Sequence, residues 1–256
     1  MDATVDRAYG ADGADSAALA GYPRNLSDTG LFADMSTQTL AAGVRAYQPK
    51  YWLWSDGASK RRWLYLPEGS QIDTSDMDYW KYPVGTKVWK EFALNGVPVE
   101  TRLLHKVGEG NWVTIAYQWN AALTDAVAVP DGVENANGTP HDIPRQSDCV
   151  FCHESMPDTL LGVTAIQLSH DLPGVNLGVL IAEGRLSDPP AGNFQIPGGP
   201  VAEPALGSLP ATCGHCNNPR SSVFVTAPLR LWESTKALDT VEHTTGYETT
   251  VLQPNG

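Results

Sequence analysis

Short runs of aromatic and apolar residues, some of them alternating with polar residues, fill the chain between residues 47 and 129. Such runs are typical of β-strands, in which successive side chains point to opposite faces of a sheet. Asn95-Gly96 separates two of the runs, and this dipeptide is the strongest short signal of a β-hairpin. The pattern predicts an antiparallel β-domain with strands over residues 51–54, 62–66, 88–92, 97–104 and 113–119.

The pattern on either side of this region is different. Residues 1–22 are rich in Ala, Gly and Asp and predict a flexible arm. Apolar residues at helical spacing predict helices over residues 159–170 and 175–184, and a weaker signal with Ser36 as N-cap predicts a short helix that ends at Gly43. Residues 187–210 are rich in Pro and Gly without a period, which predicts a loop that wraps a surface or a cofactor.

The candidate chemistry centres on the segment from Cys149 to His153, whose sequence C-V-F-C-H is the attachment signature of a c-type haem. Two thiols three positions apart can each add to one haem vinyl group, and His153 can then donate an imidazole nitrogen to the iron. We therefore predict an α+β fold. An antiparallel β-rich, Trp-rich N-terminal domain (residues 23–130) is followed by a loop-rich helical c-type haem region (residues 131–256).

The second cysteine pair, Cys213 and Cys216, has the same spacing but is followed by Asn217 instead of histidine. Three interpretations stay open: a haem site without its proximal ligand, a short disulfide, or a haem whose ligand is His215 or a distant histidine. The sequence C-G-H-C also occurs in dithiol oxidoreductases, but their active site needs a helix that the following Asn-Asn-Pro argues against. We expect one haem c, at Cys149 and Cys152, and the replacement at Asn217 argues against a second.

Charge and hydropathy narrow the classes of partner. The net charge of −12 argues against nucleic acid and anionic membranes, and it suits a redox partner protein with a basic docking patch. No apolar run reaches the length of about 18 residues that a membrane span needs. The first residues resemble no signal peptide. Because haem is normally attached to C-x-x-C-H outside the cytoplasm, we expect a periplasmic or extracellular protein whose signal peptide is absent from this sequence.

Several further segments carry a family resemblance when they are taken together with the cysteine motifs. They are residues 51–60, 83–86, 89–92, 100–104, 117–119, 148–153, 213–216 and 218–219. Over residues 23–232 the chain resembles a poorly characterised family of bacterial periplasmic c-type cytochromes, often with two haems. The resemblance implies that Cys149 and Cys152 anchor a haem and that His153 is its axial ligand. The family's second site is typically C-x-x-C-H as well, and this chain departs from it at Asn217.

The ligand on the opposite side of the iron is less well defined by the sequence. His170 is favoured because it lies near the end of the helix predicted after the motif. His215 comes next because it would bring the two cysteine pairs together. The other candidates are Met35, Met77, His105, His141 and His243.

Three functional hypotheses follow. The leading one is an electron-transfer cytochrome outside the cytoplasm, so that an electron carrier is favoured over a catalyst. The second is a haem enzyme of peroxidase or oxidase type, which requires an open distal site. The third is a structural zinc protein that binds the metal through four thiolates, those of Cys149, Cys152, Cys213 and Cys216. The zinc hypothesis leaves His153 without a role.

Overall fold

An antiparallel sheet of six strands is the largest element of the fold. A computed structural model describes residues 21–251 of the 256, so the predicted arm lies almost wholly outside the described residues. The strands of the large sheet follow the order β3-β4-β5-β6-β7-β8, and β1 pairs with β2 in a small second sheet. The strands are β1 (Phe32–Asp34), β2 (Thr39–Leu40), β3 (Val44–Ala46), β4 (Ser59–Tyr65), β5 (Lys87–Leu94), β6 (Val97–Gly108), β7 (Asn111–Trp119) and β8 (Ala126–Ala128).

The helices are few and short. They are α1 (Gln146–His153), α2 (Leu177–Ala182), α3 (Ala202–Leu209) and α4 (Thr245–Thr250), with 3₁₀ turns at Leu26–Thr29, Ala136–Gly138 and Ser222–Val225 and a π-helical turn at Pro210–Gly214. The mixed α+β composition that the sequence predicts is therefore confirmed. In the part of the chain that the structure covers, no helix has the length and apolar character needed to cross a membrane.

The hairpin between β5 and β6 turns at Asn95-Gly96, as predicted. Both residues have positive φ, 50° and 80°, as the tight type I′ turn requires. Two neighbouring predictions are wrong. Residues 51–54 form no strand, and Trp54 projects into solvent with 74% of its surface exposed. The short helix predicted after Ser36 is replaced by the turn between β1 and β2, where Gln38 has a φ of 52°.

The helix predictions are partly correct. Residues 175–184 contain α2, which confirms that prediction in its central part. Residues 159–170 form a series of turns instead of a helix. Every residue from 163 to 169 is buried, so this segment has no solvent face for an amphipathic helix to expose. The loop predicted over residues 187–210 is wrong at its end, where α3 forms with Pro204 in its first turn, a position that tolerates proline.

The two faces of the large sheet bury different parts of the chain. One face packs Trp63, Trp89 and Leu103 against residues near the N-terminus, such as Leu26 and Leu31. The other face contributes to a cluster whose members come from both sides of residue 130: Tyr47, Leu64, Ile72, Trp80, Tyr82, Val88, Leu160, Val163, Ala165, Leu168, Val175, Leu177, Leu180 and Leu186. The two predicted domains therefore share one apolar core, which places the segment after α1 directly against the sheet.

Candidate functional site

Helix α1 carries the C-x-x-C-H motif at the surface of the sheet. The helix begins after Arg145, whose backbone N–H donates to Asp148 Oδ2 at 3.1 Å. The side-chain amide of Gln146 donates to the carbonyl oxygen of Thr114 in β7 at 2.7 Å, which ties the first turn to the sheet. Residues three and four positions apart lie on one side of a helix. Cys149 therefore shares a side of α1 with the last two residues of the motif.

The motif helix is unusually open to solvent. None of its residues is fully buried, although His153 is partly buried, and Phe151 has 74% of its surface exposed. Cys152 is exposed and Cys149 is partly buried. Burial raises the pKa of the Cys149 thiol above its usual value, so at neutral pH this group is a thiol rather than a thiolate. Neither thiol is part of a disulfide.

The imidazole of His153 has a fixed tautomer. Its Nδ1 lies 2.6 Å from the carbonyl oxygen of Thr159, and because a carbonyl only accepts, Nδ1 carries the hydrogen. Burial is the main cause that lowers the pKa of His153 to about 4, so the ring is neutral at pH 7. The lone pair of Nε2 is therefore the atom left for a metal, in the arrangement typical of metal-binding histidines.

The carbonyl that orients His153 is itself held by unusual backbone geometry. Thr159 has a φ of 65°, a left-handed conformation that is rare for a β-branched residue. The preceding Asp158 is buried, and its carboxylate accepts hydrogen bonds from Lys106 Nζ at 2.9 Å and Trp112 Nε1 at 2.6 Å. Strained residues persist only where the surrounding contacts fix them. Here Asp158 anchors the loop to β6 and β7.

The two cysteine motifs lie next to each other although they are far apart in the sequence. The hydroxyl of Ser155, two residues after the first motif, donates to the carbonyl oxygen of His215 in the second. The amide of Asn218, which has no exposed surface, donates to the same carbonyl at 3.0 Å and to that of Gly214 at 2.9 Å. The charge of His215 contributes to the lowered pKa of His153. The structure thus brings together the two predicted site segments.

The second motif differs from the first in its side-chain contacts. Asn217, which replaces the expected histidine, uses its amide nitrogen to cap the carbonyl oxygen of Cys213 at 3.1 Å. The Nδ1 atom of His215 is buried without a hydrogen-bond partner, and burial lowers its pKa. Burial, followed by the nearby Cys152 and Cys213, raises the pKa of Cys216. Cys213 and Cys216 are free thiols, so the disulfide interpretation does not describe this structure.

His170, the favoured distal ligand, has neither ring nitrogen free. Its Nε2 donates to the carbonyl oxygen of Gln48 at 2.7 Å, and its Nδ1 accepts from the backbone N–H of Leu172 at 3.1 Å. These bonds fasten the turn that follows the buried segment 163–169. They disfavour the ligand role that the sequence predicted for His170.

The zinc hypothesis requires several metal-binding side chains at one point. Among residues 21–251, no three His, Cys, Asp or Glu side chains are grouped so that they could hold one metal ion. The four-thiolate arrangement of Cys149, Cys152, Cys213 and Cys216 is therefore not formed. A haem iron bound by one imidazole of the chain needs no such group.

Sequence reasoning missed the groups that support His153. Lys106 lies in β6 and Asp158 lies in a loop 52 residues further on, and no short-range pattern connects them. The one available signal was the position of Asp158, an acidic residue close after the motif and next to the apolar run that begins at Leu160.

Comparisons with known proteins do not add to this picture. No family model matches the chain, and neither a curated protein nor a solved structure matches it. The interpretation of the site therefore rests on its motifs and its geometry.

Proposed function

We propose that this protein is a c-type cytochrome that transfers electrons outside the cytoplasm. One haem is attached to Cys149 and Cys152, and His153 is its axial ligand. The observation that carries the proposal is the hydrogen bond from His153 Nδ1 to the carbonyl oxygen of Thr159, 2.6 Å long. A histidine held in this tautomer offers Nε2 to a metal, and the partner on the other nitrogen raises its strength as a ligand.

The residues of the motif fit the group that the proposal requires. Cys149 and Cys152 are free thiols on one side of α1, and Cys152 is open to solvent. Because His153 is neutral at pH 7, no proton has to leave the ring before it binds iron. Haem bound at this position would supply a one-electron couple of ferrous and ferric iron. The chain orients the imidazole and keeps it neutral.

The second cysteine pair has a different role in this proposal. The side-chain amide of Asn217 donates a hydrogen bond to the carbonyl oxygen of Cys213, and Asn217 has no imidazole to bind a haem iron. In this proposal Cys213 and Cys216 therefore carry no haem. The pair belongs to the segment that packs against the loop after α1 through Ser155. A redox partner protein with a basic patch fits the net charge of −12.

The test is an intact-mass measurement of protein produced with haem-attachment machinery, together with a pyridine haemochrome assay. We expect one haem per chain. The double variant Cys149→Ser/Cys152→Ser should carry none, and the matched variant Cys213→Ser/Cys216→Ser should still carry one. A wild-type chain without haem would contradict the proposal. Two haems would show that Asn217 does not prevent attachment and would contradict the single site.

The spin state separates the carrier from a haem enzyme. A low-spin ferric spectrum indicates two strong axial ligands and supports electron transfer. A high-spin spectrum that changes when cyanide is added indicates an open distal position, and it would favour an enzyme of peroxidase or oxidase type over a carrier.

A further inference from the structure

Three cationic residues stand side by side on the face of the sheet that lies under α1. Arg62 in β4 pairs in register with Lys90 in β5, and Lys90 pairs with Arg102 in β6. Residues paired in this way point to the same face, with their Cβ atoms about 5 Å apart. The three side chains, here called the cation row, therefore cross three neighbouring strands in one line.

Only one member of the cation row has an anionic partner. Arg102 binds the carboxylate of Glu100 through Nε and, at 3.0 Å, through Nη2. Glu100 is fully buried and is shared with His141 Nε2 at 2.8 Å, so it is not available to the rest of the row. Among the described residues, no carboxylate forms an ion pair with Arg62 or Lys90.

The two cations without a carboxylate partner lie over aromatic rings, Arg62 over Trp52 and Lys90 over Phe92, and these contacts do not replace an anion. Arg62 has 6% of its surface exposed, and its buried Nη1 has no hydrogen-bond partner. Burial, together with the charges of Arg62, Arg102 and Lys60, lowers the pKa of Lys90 well below its usual value. Buried charges are normally paired, because removing them from water without compensation is strongly unfavourable. An anionic group bound here would remove this cost.

The cation row is close to the haem motif. The charges of Lys90 and Arg102 contribute to the lowered pKa of His153. Arg102 also acts on the thiol of Cys149, which lies near Thr114 in β7. A group attached to Cys149 and bound by His153 therefore lies within the electrostatic reach of Lys90 and Arg102, and Arg62 is the next member of the row, paired in register with Lys90.

We propose that Arg62 and Lys90 bind the propionate carboxylates of the haem attached to α1. The inference rests on the function proposed above. The number of groups agrees, since haem has two propionates and the row has two cations without a carboxylate. Arg102, the third member of the cation row, is already bound by Glu100 and is not assigned a propionate. Guanidinium and ammonium groups are the usual protein partners of carboxylates.

This assignment has a measurable consequence for the iron. Positive charge near the haem favours the ferrous form, which has one positive charge fewer, so the cations raise the reduction potential. When one cation is removed, its propionate becomes harder to ionise, and the potential then depends on pH where that carboxyl titrates. The other charged or titratable groups around the row are Tyr47, Lys60, Glu100, His141, Cys149 and His153.

The test compares haem-loaded wild type with Lys90→Met, Lys90→Arg and Arg62→Met by potentiometry between pH 5 and 9. Lys236→Met removes an exposed lysine and serves as the control. We expect Lys90→Met and Arg62→Met to shift the reduction equilibrium about tenfold towards the ferric form at pH 8, or about 59 mV for one electron. The shift should shrink at pH 5. Lys90→Arg and Lys236→Met should follow the wild-type curve.

The outcomes separate this inference from the function on which it rests. If the haem is attached but Lys90→Met and Arg62→Met follow the control, the propionate assignment is overturned and the cytochrome stands. If the wild-type chain carries no haem, both are overturned. Should Lys90→Met not fold, Arg62→Met and the more polar Lys90→Gln decide by the same comparison.

Discussion

The ammonium group of Lys106 lies 2.9 Å from Oδ2 of Asp158, and each side chain has only 2% of its surface exposed. The pair joins β6 to the loop that follows α1. Because Thr159 is the next residue, the sheet fixes the carbonyl that receives the hydrogen bond from His153. The role of the β-sheet is thus partly to orient the proposed metal ligand from a distance.

Removal of the ammonium group should show how much this pair stabilises the fold. We expect Lys106→Met to lower the free energy of unfolding by about 3–5 kcal/mol, because Asp158 is left as a buried charge without its partner. Urea unfolding measures the change. Glu109 also contacts Lys106, at 3.4 Å, but it is 83% exposed. Glu109→Gln is therefore the control and should cost less than about 1 kcal/mol; an equal loss in both variants would contradict the assigned role of Asp158.

The backbone conformation of Thr159 can be tested with two opposite substitutions. Proline restricts φ to about −65°, which is incompatible with the observed 65°, whereas glycine adopts positive φ without strain. In haem-loaded protein we expect Thr159→Pro to weaken the proposed bond between His153 and the iron by about 10–100-fold, as the loss of an outer-shell partner typically does. In an acid titration followed by the haem absorption bands, His153 of this variant should then dissociate from the iron at a pH about 1–2 units higher than in wild type. Thr159→Gly should titrate like wild type. If Thr159→Pro also titrated like wild type, the carbonyl of residue 159 would not be needed to hold His153 on the iron.

The contact between the two cysteine motifs depends on one buried amide. Asn218→Ala removes the side-chain donor to the carbonyl oxygen of Gly214 and one of the two donors to that of His215, which keeps the hydroxyl of Ser155. We expect a loss of about 1–3 kcal/mol in unfolding free energy. Asn217→Ala removes a single hydrogen bond from a partly exposed residue and should cost about 1 kcal/mol or less. Thermal or urea unfolding of the two neighbouring variants gives the comparison. Equal losses would mean that the buried position of Asn218 has no particular importance.

Glu233 makes the stability of the protein depend on pH. Its side chain is buried, Oε1 accepts from the backbone N–H of Gly246 at 3.0 Å, and Oε2 has no partner. Burial raises its pKa from 4.5 to about 7. The folded state therefore binds this proton more tightly than the unfolded state does. The resulting stability is complete below pH 4.5 and is lost as the pH rises through 7, by up to about 3 kcal/mol.

The variant Glu233→Gln should remove this dependence. We expect it to be more stable than wild type at pH 8 and similar to it at pH 5, because glutamine resembles the protonated acid. Urea unfolding at the two values measures the difference. Glu242→Gln, at an exposed position, should reproduce the wild-type slope. A Glu233→Gln protein that is less stable than wild type at pH 8 would show that the carboxylate is ionised and stabilised in the fold.

The sequence predicted best those features that depend on neighbouring residues. The turn at Asn95-Gly96 needs positive φ at two consecutive positions, and Asn and Gly are the residue types that adopt positive φ most readily, so the turn could be predicted from the sequence. The helix predicted over residues 159–170 is absent because apolar residues at helical spacing also occur in turns that other elements enclose, as in the buried segment 163–169. Helix α3 was missed because it lies at the end of the stretch 187–210, whose richness in Pro and Gly predicted a loop. Packing requires glycine at position 207 of this helix, since a Cβ on Gly207 would overlap the ring of Tyr51.

Only the residues of the C-x-x-C-H motif itself could be predicted from the sequence. The motif identified the thiols and His153 directly. The groups that hold His153 in place come from distant strands and loops, so their positions follow from the fold and not from spacing along the chain. The cation row is the clearest example. Arg62, Lys90 and Arg102 are separated by 28 and 12 residues, and only the pairing of β4, β5 and β6 aligns them.

The exposure of α1 bears on the order of events during biogenesis. Since the helix buries none of its residues, its thiols remain within reach of an attachment enzyme after the sheet has formed. In the folded chain without haem, a soluble thiol reagent should modify exposed Cys152 before the more enclosed Cys149, which mass mapping can follow over time. If haem is attached to α1 as proposed, its attachment needs no unfolding step, because the sheet can form first and the group can be added to the exposed helix afterwards.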